Sequence, residues 1–265
     1  METTMAETNH VEVRETEPGL LHVHLNAPQQ LNALSQGILQ SLKIIFDQAA
    51  QDKSVKAILL SGEGKAFCAG ANIKELSNLT AVEGTQFARL GQSVFRQLEL
   101  MGKPSLAALH GFVLGGGCEL AMAATLRIAA DDTQFGQPEI KLGVIPGFGG
   151  TQRLARLIGL GRAFEICLTG KRFNAIDALQ WGFVNAVVPQ QELLSTAKTL
   201  LLELIQLSPI AIHNLMTSII RGFDLPLEDG LLLEANQFGI CCASKDKQEG
   251  VQAFLEKRKP KFRGE

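Results

Sequence analysis

Four short apolar runs constrain the fold most: LLHVHL at 20–25, KAILLSG at 56–62, SLAALH at 105–110 and LRIAA at 126–130. Each has the length of a strand, and the first two end at turn residues. Between those two, Ile38, Leu42, Ile45, Phe46 and Ala49 recur on one helical face, with Ser35 placed as the cap. Thr80 and Glu83 have capping-box spacing and open another helix towards Leu100. Strand, helix and strand therefore alternate to about residue 130, a pattern that stacks β-α units with parallel pairing.

Beyond residue 150 the pattern changes. Leu193, Leu194, Ala197, Leu200, Leu201 and Leu204 share one helical face, and Ser208-Pro209 supplies the cap and first residue of the next helix. Helical patterning then continues to about residue 257. No internal repeat is visible, and no stretch is rich enough in Pro, Gly or Ser to divide the chain into independent domains. The reading is an α/β core over residues 1–190 followed by a helical region over 191–265.

Composition narrows the function. The net charge of −2 gives no electrostatic reason to expect nucleic acid or an anionic membrane as partner. The basic KRKPKFR at 257–263 reads either as a solvated tail or as a holder of phosphates. Five cysteines, none in a C-x-x-C pair, point to a reducing compartment. The N-terminal METTMAETNHVEVRETEPG carries neither a secretory apolar run nor an Arg-rich transit pattern. The apolar region at 105–130 is broken by His110, Glu119, Arg127 and several glycines, so it reads as buried core and not as a membrane span. A soluble, cytoplasmic protein is expected.

Within that region, HGFVLGGGCELAMA at 110–123 sets three glycines and a carboxylate in apolar surroundings. After strand 105–110, Gly115–Gly117 fall at a helix N-terminus, where several backbone N–H groups lack an intrahelical partner. Bare backbone with free donors at the positive end of a helix dipole favours a negative oxygen. Glu119 falls in the first turn, within reach of whatever binds there. Taken alone, the stretch reads equally well as tight helix–strand packing with an acid that suits the dipole.

Two further stretches shift that balance. KAFCAGANIKEL at 65–76 places the small-residue turn Ala69-Gly70-Ala71 between a strand and a short helix. Two N–H donors from separate strand ends can together stabilise an oxygen that takes on negative charge. FGQPEIKLGVIPGFGGTQRL at 135–154 sets Glu139 after Gln137-Pro138, in an expected rigid, extended context, before a turn containing Gly147, Gly149 and Gly150. Glu119 and Glu139 are then two acids in settings where desolvation raises a carboxyl pKa, and such a pair can divide acid and base work at neutral pH.

Together these motifs resemble the enoyl-CoA hydratase/isomerase (crotonase) family, and within it the hydratases most closely. The resemblance runs from LNAL at 31–34 through the three stretches above and LTGKRFNAIDALQWGFVNAVV to EGVQAFLEKRKPKF near the end. It implies a crotonase-like spiral of β-β-α units, with CoA-binding and catalytic segments in the core and a helical C-terminal region that packs in trimers or dimers of trimers. It assigns the oxyanion hole to the N–H groups of Ala71 and Gly116, and the catalytic carboxylates to Glu119 and Glu139. In the usual assignment Glu119 activates the water and Glu139 protonates Cα. The resemblance places Ala71, Asn72, Ile73, Lys74, Gly116 and Gly147 against the acyl-CoA, and Phe254 and Lys257 at its nucleotide end, commonly in a neighbouring subunit. No metal or separate cofactor is implied, since coenzyme A is part of the substrate.

The intact acid pair favours a hydratase. An isomerase, an acyl-CoA hydrolase and a family member recruited to bind RNA or a partner are the alternatives. Asn72 stands where many members have Asp, which bears on the contact with CoA. The wall that sets acyl chain length is expected around residues 76–100. His22 and His24 alternate on one strand face and read as surface or partly buried, with no Cys, Asp or Glu nearby to complete a metal site. His110, Cys68 and Cys118 read as structural.

Overall fold

A computed structural model describes residues 3–8 and 10–265. The first half runs β1 (Thr3–Thr8), β2 (Val11–Glu17), β3 (Leu20–Leu25), α1 (Gln36–Gln51), β4 (Ala57–Gly62) and β5 (Ala66–Cys68). It continues with α2 (Ile73–Leu76), α3 (Ala81–Leu100), β6 (Ser105–Leu109), β7 (Phe112–Leu114) and α4 (Gly116–Ala123). There follow β8 (Leu126–Ala130), β9 (Gln134–Gly136), α5 (Gly150–Ile158), α6 (Leu160–Thr169), β10 (Arg172–Asn174), α7 (Ala175–Gln180) and β11 (Ala186–Val188). Helices α8 (Leu193–Leu204), α9 (Pro209–Gly222), α10 (Leu227–Cys242) and α11 (Lys245–Leu255) end the chain.

The strands form two sheets. One is seven-stranded in the order β1-β2-β3-β4-β6-β8-β11, and the other four-stranded in the order β10-β9-β7-β5. Strands β3, β4, β6, β8 and β11 pair in parallel, as the alternating pattern requires. After three of the long strands the chain crosses to the small sheet for three residues before returning through a helix: β4 to β5, β6 to β7, β8 to β9. The β-β-α spiral is therefore observed. The three-residue strands add what the apolar runs alone did not give.

Both faces of the large sheet are covered at its inner parallel strands, which is why β4 and β6 are buried at every position and do not alternate as β2 does. Along β4 and β6, Ile58, Leu60, Ala107 and Leu109 face the main core with Ile38, Leu42 and Phe46 of α1. Their neighbours Ala57, Leu59, Leu106 and Ala108 face the other way, against Leu193, Ala197 and Leu201 of α8. Leu194, expected on that helical face, is exposed. The caps form as their spacing predicts: Ser35 accepts from the Ile38 N–H, Thr80 and Glu83 make a reciprocal box, and Ser208 accepts from the Ala211 N–H. Each cap is worth about 1 kcal/mol.

His22 and His24 depart from expectation. Both are buried, on the face of β3 that also carries Leu20. His22 Nε2 and His24 Nδ1 each lie 2.7 Å from the same Ser61 hydroxyl, and His24 Nε2 reaches Glu63 at 3.0 Å. A carboxylate therefore does stand beside them. A single hydroxyl between two rings can donate to only one, so the two tautomers are linked. Burial pushes His22 down to about 3, with His24 adding to the fall. Among the described residues no single helix is long and apolar enough to cross a membrane.

Candidate active site

The spiral brings three turns to one cleft of about 640 Å³. Gly70 and Ala71 come from the turn after β5, Gly115 and Gly116 from the turn after β7, and Glu139 with Gly147–Gly149 from the segment after β9. Glu119, on the first turn of α4, completes the polar end.

Glycine is required at the middle turn. Gly115 caps α4 with φ of +49°, and a Cβ there would lie 2.9 Å from Glu139 Oε1 and 3.5 Å from the Gly70 Cα. Bare backbone thus leaves room between the two strand ends and one carboxylate. At Gly117 a Cβ would lie 2.1 Å from the Cys68 carbonyl oxygen, so α4 can pack on β5 only through glycine. Among the described residues the Ala71 and Gly116 N–H groups donate to no protein acceptor. For Gly116 this follows from its place as the first residue of a helix.

Glu119 is 1% exposed, and its Oε1 accepts from the N–H groups of Phe148 at 2.8 Å and Gly150 at 2.6 Å. Burial pushes its carboxyl up to about 8, and the Glu139 charge adds to the rise; the two amides and Arg153 oppose it. Burial likewise lifts Glu139 to about 7. The carboxylates thus sit in the range where each can gain or lose a proton near neutrality. The buried Gln137 amide, turned to donate, lies 2.9 and 3.1 Å from the Glu139 oxygens.

Glu139 does not sit in extended backbone. Pro138 has φ −86° and ψ 7°, and Glu139 opens a short 3-10 turn, Glu139–Leu142. Proline fixes φ but leaves ψ free, so a turn satisfies it as well as a strand.

Ala71, Ile73, Gly116 and Gly147 line the cleft, whereas Asn72, Lys74, Phe254 and Lys257 do not. The Asn72 side chain caps α2 by accepting from the Lys74 and Glu75 N–H groups, a job Asp does equally well. Its amide nitrogen also lies 3.4 Å from Gln30 Oε1. Phe254 is 83% exposed on α11, away from this chain's cleft. The apolar wall is only half where it was expected. Leu76, Leu79 and Phe87 form one side, but Leu142, Val144, Ile145 and Pro146 form the other. His110 is structural, bonded to the Gly64 carbonyl oxygen at 3.0 Å, and Cys68 is fully buried with its thiol pushed up to about 12. Sequence reasoning missed Gln137 and Phe148, although both lie inside the quoted 135–154 motif.

A β-β-α spiral with two carboxylates at the mouth of its strand-end turns defines a crotonase-fold enzyme. Crystal structures agree: the enoyl-CoA hydratase of Bacillus anthracis superposes with a TM-score of 0.93 at 36% identity, covering 97% of this chain and all of that one. The chain belongs to the enoyl-CoA hydratase/isomerase family, whose model matches residues 15–265. It is 42% identical to the short-chain-enoyl-CoA hydratase of Clostridium acetobutylicum, over 96% of this chain and 97% of that protein. It is also 42% identical to the crotonyl-CoA hydratase of Syntrophomonas wolfei, over 94% of this chain and 96% of that one.

Proposed function

We propose that the chain adds water reversibly across the 2,3 double bond of a 2-enoyl-CoA thioester, giving a 3-hydroxyacyl-CoA. The observation that carries this is the acid pair, Glu119 and Glu139, in one cleft with two unengaged backbone donors. The hydratase names of relatives across the full length support it.

The thioester oxygen would accept from the Ala71 and Gly116 N–H groups, which hold negative charge as the enolate develops. Glu119 has Oε1 engaged by two amides, which leaves Oε2 to take a proton from the water that bonds to Cβ. The π electrons move onto the thioester oxygen and return as Glu139 delivers its proton to Cα. The pair carries one proton before and one after, so the reaction runs in either direction with no added redox partner, and coenzyme A enters only as part of the substrate.

The finer assignments belong to the same reading. The turn at 71–74 flanks the CoA portion, and Phe254 and Lys257 serve the nucleotide end of a CoA bound in a neighbouring copy. An assembly of three copies, or two such trimers, fits α10. It buries no residue within its own chain yet exposes Leu227, Leu231, Leu232, Phe238 and Ile240. Leu227, Leu231 and Phe238 share one side of the helix, and apolar surface exposed on this scale calls for cover. The five cysteines are all free, which suits a reducing cytoplasm.

The test is turnover of crotonyl-CoA, followed by loss of the conjugated thioester absorbance. Hydration should fall at least ~100-fold in both Glu119→Gln and Glu139→Gln. Faster conversion of a 3-enoyl-CoA to the 2-enoyl isomer than hydration would overturn the reading in favour of an isomerase. Release of free CoA would favour a hydrolase, and salt-sensitive RNA retention without turnover a binding protein.

A further inference from the structure

We propose that Glu99 and Arg153 form a clamp that positions Glu119 through the backbone of the Phe148–Gly150 turn. Arg153, on α5, donates from Nε to Glu99 Oε1 at 2.5 Å and from a terminal nitrogen to Glu99 Oε2 at 3.1 Å. Its other terminal nitrogen donates to the Phe148 carbonyl oxygen at 2.9 Å. The same residue's N–H, with that of Gly150, holds Glu119 Oε1. One guanidinium thus ties the end of α3 to the peptide that lies between the two N–H groups gripping the carboxylate.

The turn is shaped for this. Gly149 has φ of +110°, and a Cβ there would lie 2.2 Å from Arg153 Nη1, so only glycine lets the guanidinium sit over the backbone. At Gly150 a Cβ would lie 2.9 Å from Glu119 Oε1 and 2.7 Å from the Gln137 side-chain amide. The Phe148 ring is fixed edge-on against Phe87 and Phe95 of α3, with centroids 5.1 and 5.7 Å away. Phe148 is therefore anchored on α3 twice, by its ring directly and by its carbonyl through Arg153 and Glu99. Glu99 and Arg153 are largely buried, at 15% and 16% side-chain exposure, so their fork is shielded from the screening that weakens surface pairs. Neither lines the cleft. Any effect of either on catalysis has to travel through the turn.

The clamp also contributes charge. The titratable and charged groups around Glu119 are Glu139 from the 3-10 turn, Arg153 from α5, Cys68 from β5, Cys118 from its own helix and Cys167 from α6. Arg153 is the cation among them, and it favours the ionised form of Glu119. The three thiols are held protonated by burial, so near neutral pH the field at Glu119 is set by Glu139 and Arg153.

The inference rests on the hydratase reading for its kinetic arm, and a second arm is independent of turnover. Arg153→Gln, Arg153→Lys and Glu99→Gln would be compared with the wild-type chain. A displaced carboxylate should lower kcat in all three by roughly ten- to a hundredfold, with KM changed by less than about twofold. Arg153→Lys keeps the charge but not the planar fork, so its loss of kcat isolates positioning from electrostatics. In the second arm the Glu119 carboxyl is titrated by carbon-13 NMR, assigned with Glu119→Gln. Its midpoint should rise in Arg153→Gln and stay near wild type in Arg153→Lys. An unmoved midpoint in Arg153→Gln, or kcat within about twofold of wild type in Arg153→Lys, would reduce the pair to a brace between helices. If wild type fails to hydrate any enoyl-CoA, the hydratase reading falls while the titration still decides the clamp.

Discussion

Replacing Glu119 by glutamine should destroy hydration and stabilise the fold at alkaline pH. The carboxyl of Glu119 is raised from 4.5 to about 8 in the folded chain. Between those values the folded state holds a proton that the unfolded state has released, so stability falls as pH rises through that window. At about 1.4 kcal/mol per pH unit, the full loss above pH 8 is about 5 kcal/mol, and the part reached by pH 7 is about 3. Glutamine keeps the shape and still offers Oε1 to the Phe148 and Gly150 N–H groups, but it carries no charge to desolvate. The assay is urea unfolding of wild type and Glu119→Gln at pH 5, 6, 7 and 8, with crotonyl-CoA turnover measured alongside. The wild-type midpoint should fall across the series more steeply than the variant's, which still slopes because Glu139 titrates in both. Parallel curves, or a variant less stable than wild type at pH 8, would refute the reasoning that burial of this charge opposes folding.

Two other outcomes follow from the geometry. Gly115→Ala should lose at least ~100-fold in turnover while retaining most of its helical circular dichroism: the added methyl lies 2.9 Å from Glu139 Oε1, inside the cleft, and φ of +49° strains a side chain only locally. Acid should destabilise the wild type through His22, whose folded value of about 3 lies below the ordinary 6.5. There the unfolded state binds the extra proton, so stability is lost as pH falls, by about 3 kcal/mol at pH 4. His22→Gln should flatten that limb of the urea midpoint against pH, and an unchanged limb would show that the Ser61 pair is not what titrates.

How much of this was legible depends on whether the signal is local. Ser35, Thr80 and Ser208 each cap a helix within three residues of themselves, so their roles stand in the sequence. The long strands could be read because short, mostly apolar runs bounded by turn residues have few other homes. Strands β5, β7, β9 and β10 have three residues each and carry no period; only their pairing partners define them. Burial of His22 and His24 was hidden for a related reason. A strand covered on both faces has no solvent side to which a polar residue can be assigned, and Ser61, which partners both rings, is some forty residues away.

The site divides along the same line. Gly115–Gly117, Glu119 and Glu139 stand out because a carboxylate or a bare backbone is costly inside an apolar run, and that cost is visible locally. What aims those groups is not. Arg153 and Glu99 are 54 residues apart, and each alone looks like an ordinary surface charge on an amphipathic helix. Yet a site whose donors are backbone N–H groups has no side chain to adjust: the turn must be held from outside. Glycine at 149 and 150 gives the turn its shape and at the same time removes the side chains that would have stiffened it. The freedom that lets backbone approach a ligand has to be countered by contacts from distant elements. In this fold those contacts come from α3, through one ion pair and the edge-on rings around Phe148.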